Sequence, residues 1–140
     1  MFSKSWGYAV RAMLRLAEIH DDPKARRMAG ELAEETGMPP SFLSKVIQQL
    51  SAAGLVDSAR GRQGGIRLAR NPEEITLFDI AKVTDNFDKN GHDLSGFEDA
   101  PEMMKGILYK KWKPYHRGLV EFLAEINLAS LVKELEMRRK

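Results

Sequence analysis

The feature that most constrains this chain is a helix, a tight turn, a second helix and a glycine-rich ribbon, in unbroken succession between residues 28 and 69. Over 28–36, Met28 and Leu32 repeat at helical spacing with Ala29 and Ala33 beside them, and Gly37 stops the run. Met38-Pro39-Pro40-Ser41 then turns the chain. The next helix is expected from residue 40 or 41 to 53. Its stripe is Phe42, Leu43, Val46, Ile47 and Leu50. Pro40 suits a first turn whose N–H groups have no helical partner, and Gly54 suits the stop. Residues 55–59 and 66–69 read as short strands, and Arg60-Gly61-Arg62-Gln63-Gly64-Gly65 between them reverses the chain.

The flanks fit around this unit. Residues 5–19 carry Val10, Met13, Leu14, Ala17 and Trp6 on one helical stripe, ended by His20-Asp21-Asp22-Pro23. Asn71-Pro72 closes the ribbon, and Thr76 with Asp79 resembles a capping box that opens a short helix running to about Val83. Residues 84–101 read as a polar loop. A long helix is expected over 102–125, with a kink or a break at Pro114, because proline lacks the N–H that an interior turn needs. Asn127 can cap a last helix over 128–137. Helix, helix-turn-helix and β-ribbon in this order make a winged helix-turn-helix, mainly α with one small β-hairpin.

That architecture has a chemistry. A major groove about 12 Å wide admits one helix, provided its outer face carries short hydrogen-bonding side chains. Ser41, Ser44, Lys45, Gln48 and Gln49 lie opposite the apolar stripe and supply such a face. Gln pairs bidentately with adenine, while Ser and Lys take phosphates or base edges. The net charge is only +2, so overall charge does not argue for nucleic acid. Its distribution does. From Ser58 to Arg70 the charged residues are Arg60, Arg62, Arg67 and Arg70, whereas from Asn86 to Glu102 acids dominate. In the ribbon, Arg60 and Arg62 are the main candidates for neutralising phosphates or entering a minor groove, with Gly64 and Gly65 shaping the tip.

Other classes fare poorly. The chain has no cysteine, which removes a disulfide framework, a thiolate nucleophile and cysteine-held zinc or iron–sulfur centres. No serine sits in a nucleophile elbow and no histidine pair has zinc-hydrolase spacing, so the chain is not read as an enzyme. The glycine loop follows neither the Walker nor the Rossmann pattern. His92 with Asp93, Glu98, Asp99 and Glu102 is read as a solvated acidic loop rather than a cation site, and His116 as a surface residue of the long helix. No metal or other cofactor is expected. No apolar run approaches a membrane span and the N-terminus lacks a signal-peptide stretch, so a cytoplasmic protein is expected.

The same residues resemble the Rrf-two family of IscR- and NsrR-like regulators over nearly the whole chain. Tyr8-Ala9-Val10-Arg11-Ala12-Met13 looks like the family's first helix. Leu32-Ala33-Glu34-Glu35-Thr36-Gly37-Met38 followed by Ser41-Phe42-Leu43 looks like its helix-turn-helix. The most specific stretch is Ala53-Gly54-Leu55-Val56, the loop and strand from Arg60 to Ala69, and Pro72-Glu73-Glu74-Ile75-Thr76-Leu77-Phe78-Asp79-Ile80. Trp112 and Leu128-Ala129-Ser130-Leu131-Val132 match its C-terminal signature.

The resemblance implies a homodimeric transcription regulator, usually a repressor, on palindromic duplex DNA. Ser41, Phe42, Ser44, Lys45 and Arg60 fall on its DNA-facing positions. It implies a winged helix-turn-helix domain over 1–84, a sensor-loop equivalent over 85–101, and a dimerisation helix with a C-terminal helix over 102–140. Ile107, Leu108, Trp112, Leu119, Phe122 and Leu123 are then expected at the dimer interface. Two departures matter. Some members read bases with a Glu where this chain has Ser44. Many bind an iron–sulfur cluster through three cysteines in the segment equivalent to 94–106, the third at Gly106, and some place a histidine ligand at Tyr109; this chain has none of these ligands. A small-molecule or protein effector stays open as the input, and a winged-helix module that binds protein instead of DNA is the alternative.

Overall fold

The computed structural model describes residues 2–22, 25–62, 64–87 and 99–139. Helix α1 spans Lys4–Glu18, α2 Ala29–Thr36, α3 Pro40–Ala52, α4 Leu77–Asp85, α5 Glu102–Glu125 and α6 Leu128–Arg139. Strands β1, Val56–Ala59, and β2, Gly65–Leu68, form an antiparallel hairpin, and Pro72–Glu74 makes one 3-10 turn before α4.

Local chemistry sets most boundaries. The Ser3 hydroxyl accepts from the Trp6 N–H at 3.2 Å and starts α1. Gly37 ends α2 at φ +71°, a left-handed conformation that glycine adopts without a Cβ clash. The Thr76 hydroxyl accepts from the Asp79 N–H at 3.2 Å while the Asp79 carboxylate accepts from the Thr76 N–H at 3.0 Å, the expected capping box. The Asn127 side chain accepts from Ser130 N–H at 2.8 Å and opens α6, which runs two residues beyond the expected end at Met137.

Helix α1 is the hub. Ala9, Ala12, Met13, Leu16 and Ala17 are buried, and it packs on α2, α3, α4, α6 and β2. The core continues through Leu32, Leu43, Val46, Leu50, Ile75 and Ile80, and takes in Leu123 of α5 and Leu128 of α6. A second tie closes the C-terminal half onto the first: Leu77 N–H donates to Ile126 carbonyl at 3.0 Å, and Leu128 N–H to Ile75 carbonyl at 2.9 Å.

Two expectations change here. Of the kink or break expected at Pro114, the break does not form: α5 is one helix from Glu102 to Glu125. Proline deletes one backbone bond, and both Pro114 and Lys110, whose carbonyl loses its partner, lie on the exposed side where water can serve. His116 is not a surface residue: it is 1% exposed, stacked on Phe87 at 5.1 Å and 25°, with Trp112 at 5.6 Å. The chain leaving α4 brings the Phe87 ring over the imidazole, a contact between residues far apart in sequence. No helix among the described residues is long and apolar enough to cross a membrane.

Candidate nucleic-acid interface

The α3 helix separates a buried apolar face from an exposed polar one. Leu43, Val46, Ile47 and Leu50 are buried, while Ser41, Ser44, Lys45, Gln48 and Gln49 are exposed. A helix with one covered apolar stripe leaves its other face to solvent or to a partner. Phe42 falls between the two. It is half-buried and meets Tyr8 of α1 edge-on at 5.0 Å, so part of its side chain serves packing.

Arg11 joins this corner, and sequence reasoning did not single it out. Its guanidinium lies 4.7 Å from the Tyr8 ring centroid and donates to the Thr36 carbonyl at 3.2 Å. That places an exposed cation beside the turn between α2 and α3. The sequence signal was slight: Arg11 is one of two arginines in α1, inside the Tyr8–Met13 stretch.

The wing pairs Val56 with Leu68, Asp57 with Arg67, Ser58 with Ile66 and Ala59 with Gly65. Val56, Ile66 and Leu68 face the core, and the hairpin rests on α1 and α3. Its glycines divide the work. Gly61 has φ +101° and open space around it, so it shapes the exposed tip. Gly64 answers a constraint inside the chain: a Cβ there would run into the Ala59 carbonyl oxygen. Gly65 has φ +126° and is buried against Arg26 and Arg27, where a Cβ would come within 3.0 Å of the Arg26 Cβ. Both are required by the fold of the wing itself. Gln63 lies outside the described residues.

The arginines in and around the wing are not equivalent. Arg67 pairs with Asp57 across the hairpin at 3.3 Å, and Arg26 approaches the same carboxylate at 3.8 Å while donating to the Gly65 carbonyl at 3.3 Å. Arg60 and Arg62 are exposed, and among the described residues their side chains have no ionic or hydrogen-bonding partner; the same holds for Lys45. Unspent cations on an exposed hairpin tip suit a polyanion better than they suit stability.

Behind the wing, Arg27 exchanges two backbone bonds with Ile66, at 3.0 and 2.8 Å, adding a one-residue third strand to the hairpin. Its side chain donates to Glu35 of α2 at 3.0 Å, and Arg15 of α1 donates to the same carboxylate at 2.7 Å. The Arg15 bond, with the weaker Arg27 bond, outweighs desolvation and holds the Glu35 carboxyl below the usual glutamate range.

The long helix presents a different surface. Of the residues expected at a dimer interface, Ile107 and Phe122 are exposed, Leu108, Trp112 and Leu119 are half-buried, and Leu123 is 1% exposed inside its own chain's core. Met103, 80% exposed, and Met104 extend the apolar face beside Ile107. The acidic loop from His92 to Glu98 lies outside the described residues. Among the described residues no group of three His, Cys, Asp or Glu side chains is placed to hold a metal ion.

Comparison with known proteins agrees with this architecture. The family model "Rrf2: Iron-dependent Transcriptional regulator" matches residues 2–134. Protein aau3 of Rhizobium meliloti is 44% identical over 84 residues, 60% of this chain and 53% of that protein, so the match spans about half its length. The HTH-type transcriptional regulator IscR of Vibrio campbellii is 30% identical over 131 residues, covering 93% of this chain and 76% of that one. The solved structure of T. potens IscR superposes with a TM-score of 0.75 at 30% identity, over 100% of this chain and 91% of that one. The iron named in the family description finds no thiolate here, because the chain has no cysteine. With a match over nearly its full length and a shared winged-helix fold, the chain belongs to the Rrf2 family of transcriptional regulators.

Proposed function

We propose that the chain is a repressor that binds a palindromic DNA operator as a homodimer without an iron–sulfur cluster. Helix α3 enters the major groove, where Ser44, Gln48 and Gln49 meet base edges and Ser41 and Lys45 meet phosphates or bases. Arg60 and Arg62 carry the wing to the flanking backbone or minor groove, and Arg11 adds a phosphate contact at the turn before α3. The exposed apolar face of α5 is the dimer seam, which gives two copies of α3 the two-fold symmetry that a palindrome mirrors.

The observation that carries this reading is the pairing of an exposed polar face on α3 with two wing arginines that have no ionic partner among the described residues.

The test is operator affinity as a function of salt. Each phosphate neutralised should contribute a slope of about −0.9 in log affinity against log salt. A steep slope that flattens by about one per subunit when Arg62 becomes Ala supports the reading. A slope unchanged in both Arg60→Ala and Arg62→Ala would contradict it.

A further inference from the structure

One side chain outside the proposed DNA-facing surface sits where three elements meet. Glu35 is on the last turn of α2, directly before the Gly37 turn into α3. One carboxylate oxygen accepts from Arg15 of α1 at 2.7 Å and the other from Arg27 at 3.0 Å. Arg27 is in turn pinned by its backbone to Ile66, in the middle of the second wing strand. The path from helix-turn-helix to wing is therefore short: Glu35 carboxylate, Arg27 guanidinium, Arg27 backbone, Ile66 backbone. Next to it, Arg26 grips the wing through the Gly65 carbonyl and Asp57.

We propose that Glu35 is a positioning residue for DNA recognition: by holding Arg27 against α2 and α1, it fixes the wing's angle to α3, so that both reach one DNA duplex together. The inference rests on the DNA-binding reading above. Three points favour a positioning role over an incidental surface pair. An isolated exposed ion pair contributes little, but here one carboxylate receives two guanidinium donors in a partly covered site, each side chain about a quarter to a third exposed. The pair spans elements rather than neighbouring turns of one helix. The wing is also a two-stranded hairpin, which alone is marginally stable and depends on what it packs against. Its only added strand pairing among the described residues is the one-residue bridge at Arg27.

The experiment uses the full chain and an operator recovered by selection from random duplex DNA. Parent, Glu35→Gln, Arg27→Ala and the double variant are compared by operator affinity at several salt concentrations. Hydroxyl-radical protection is scored separately for the phosphates beside α3 and those under the wing. Glu35→Gln keeps the side chain's size and removes its charge. The expected result is a loss of about tenfold in affinity, of the order of losing a wing arginine. Protection under the wing should fall while protection beside α3 is kept, and the salt slope should become shallower. Arg27→Ala should reproduce this, and the double variant should add little, because both break one linkage.

Equal affinity, slope and footprint in parent, Glu35→Gln and Arg27→Ala would overturn the proposal and leave DNA binding standing. So would equal loss of protection beside α3 and under the wing together with a lowered melting temperature, which marks general destabilisation. A folded parent that recovers no operator at all would overturn the DNA-binding reading itself, and this inference with it. Should Glu35→Gln fail to fold, Arg27→Ala alone carries the same footprint test.

Discussion

Helices α3 and α5 carry similar sequence patterns and meet different fates. Each has apolar residues at three- and four-residue spacing. In α3 the stripe of Leu43, Val46, Ile47 and Leu50 is covered by its own chain, and what remains outside is polar. In α5 only His116 and Leu123 are buried, and Met103, Ile107, Tyr115 and Phe122 lie open. Periodicity says that a helix has an apolar face; it does not say whether the cover comes from the same chain. Large exposed apolar side chains along one helix offer a surface for association. Under the proposed function the two helices take complementary tasks, α3 toward a polar partner and α5 toward a second copy.

Substitutions can break this contrast or sharpen it. Leu43→Ala should cost about 2–5 kcal/mol in urea unfolding, because it leaves a cavity in a site with no exposure. That loss should not depend on protein concentration if the α3 stripe is internal. Ile107→Glu combined with Phe122→Glu should do the opposite. It should leave the monomer folded, shift sedimentation from dimer to monomer, and lower operator affinity by about a hundredfold or more as the second half-site contact is lost. If Ile107→Glu with Phe122→Glu stays dimeric, the seam lies elsewhere.

Arg60→Ala should weaken operator binding by about 1–3 kcal/mol if Arg60 makes a specific base contact, with little change in melting temperature because its exposed side chain has no ionic or hydrogen-bonding partner among the described residues. An unchanged operator affinity would remove Arg60 from the interface.

The smallest effect concerns acid. The Glu35 carboxyl is lowered in the folded state, so its bonds stabilise the fold above the ordinary glutamate value, and that stability is lost as pH falls through the folded value. Glu35→Gln should therefore be less stable than the parent at neutral pH and lose less stability on acidification. Melting curves at pH 7 and near pH 3 would show the two variants converging; parallel curves would show that the carboxylate contributes nothing.

The sequence was most readable where signals are local. The caps at Thr76 and Asn127, the stop at Gly37 and the polar face of α3 all follow from residues within one or two turns. What escaped it was contact at a distance. The Arg27–Ile66 bridge is a single residue with no alternation to betray it. Gly64 and Gly65, expected to shape the tip, also answer to the Ala59 carbonyl and to the Arg26 Cβ and Arg27 backbone. His116 is covered by Phe87, which arrives from another element. Arg11 gained its place beside α3 only through Tyr8 and the end of α2.

The most direct measurement is selection of bound sequences from random duplex DNA at two salt concentrations, with the full chain in its associated form. Recovery of a palindrome whose half-sites lie one helical turn or a whole multiple apart, bound far more weakly at the higher salt, is the expected result. A folded dimer that enriches no sequence at either salt would contradict the assignment of α3 and the wing to DNA.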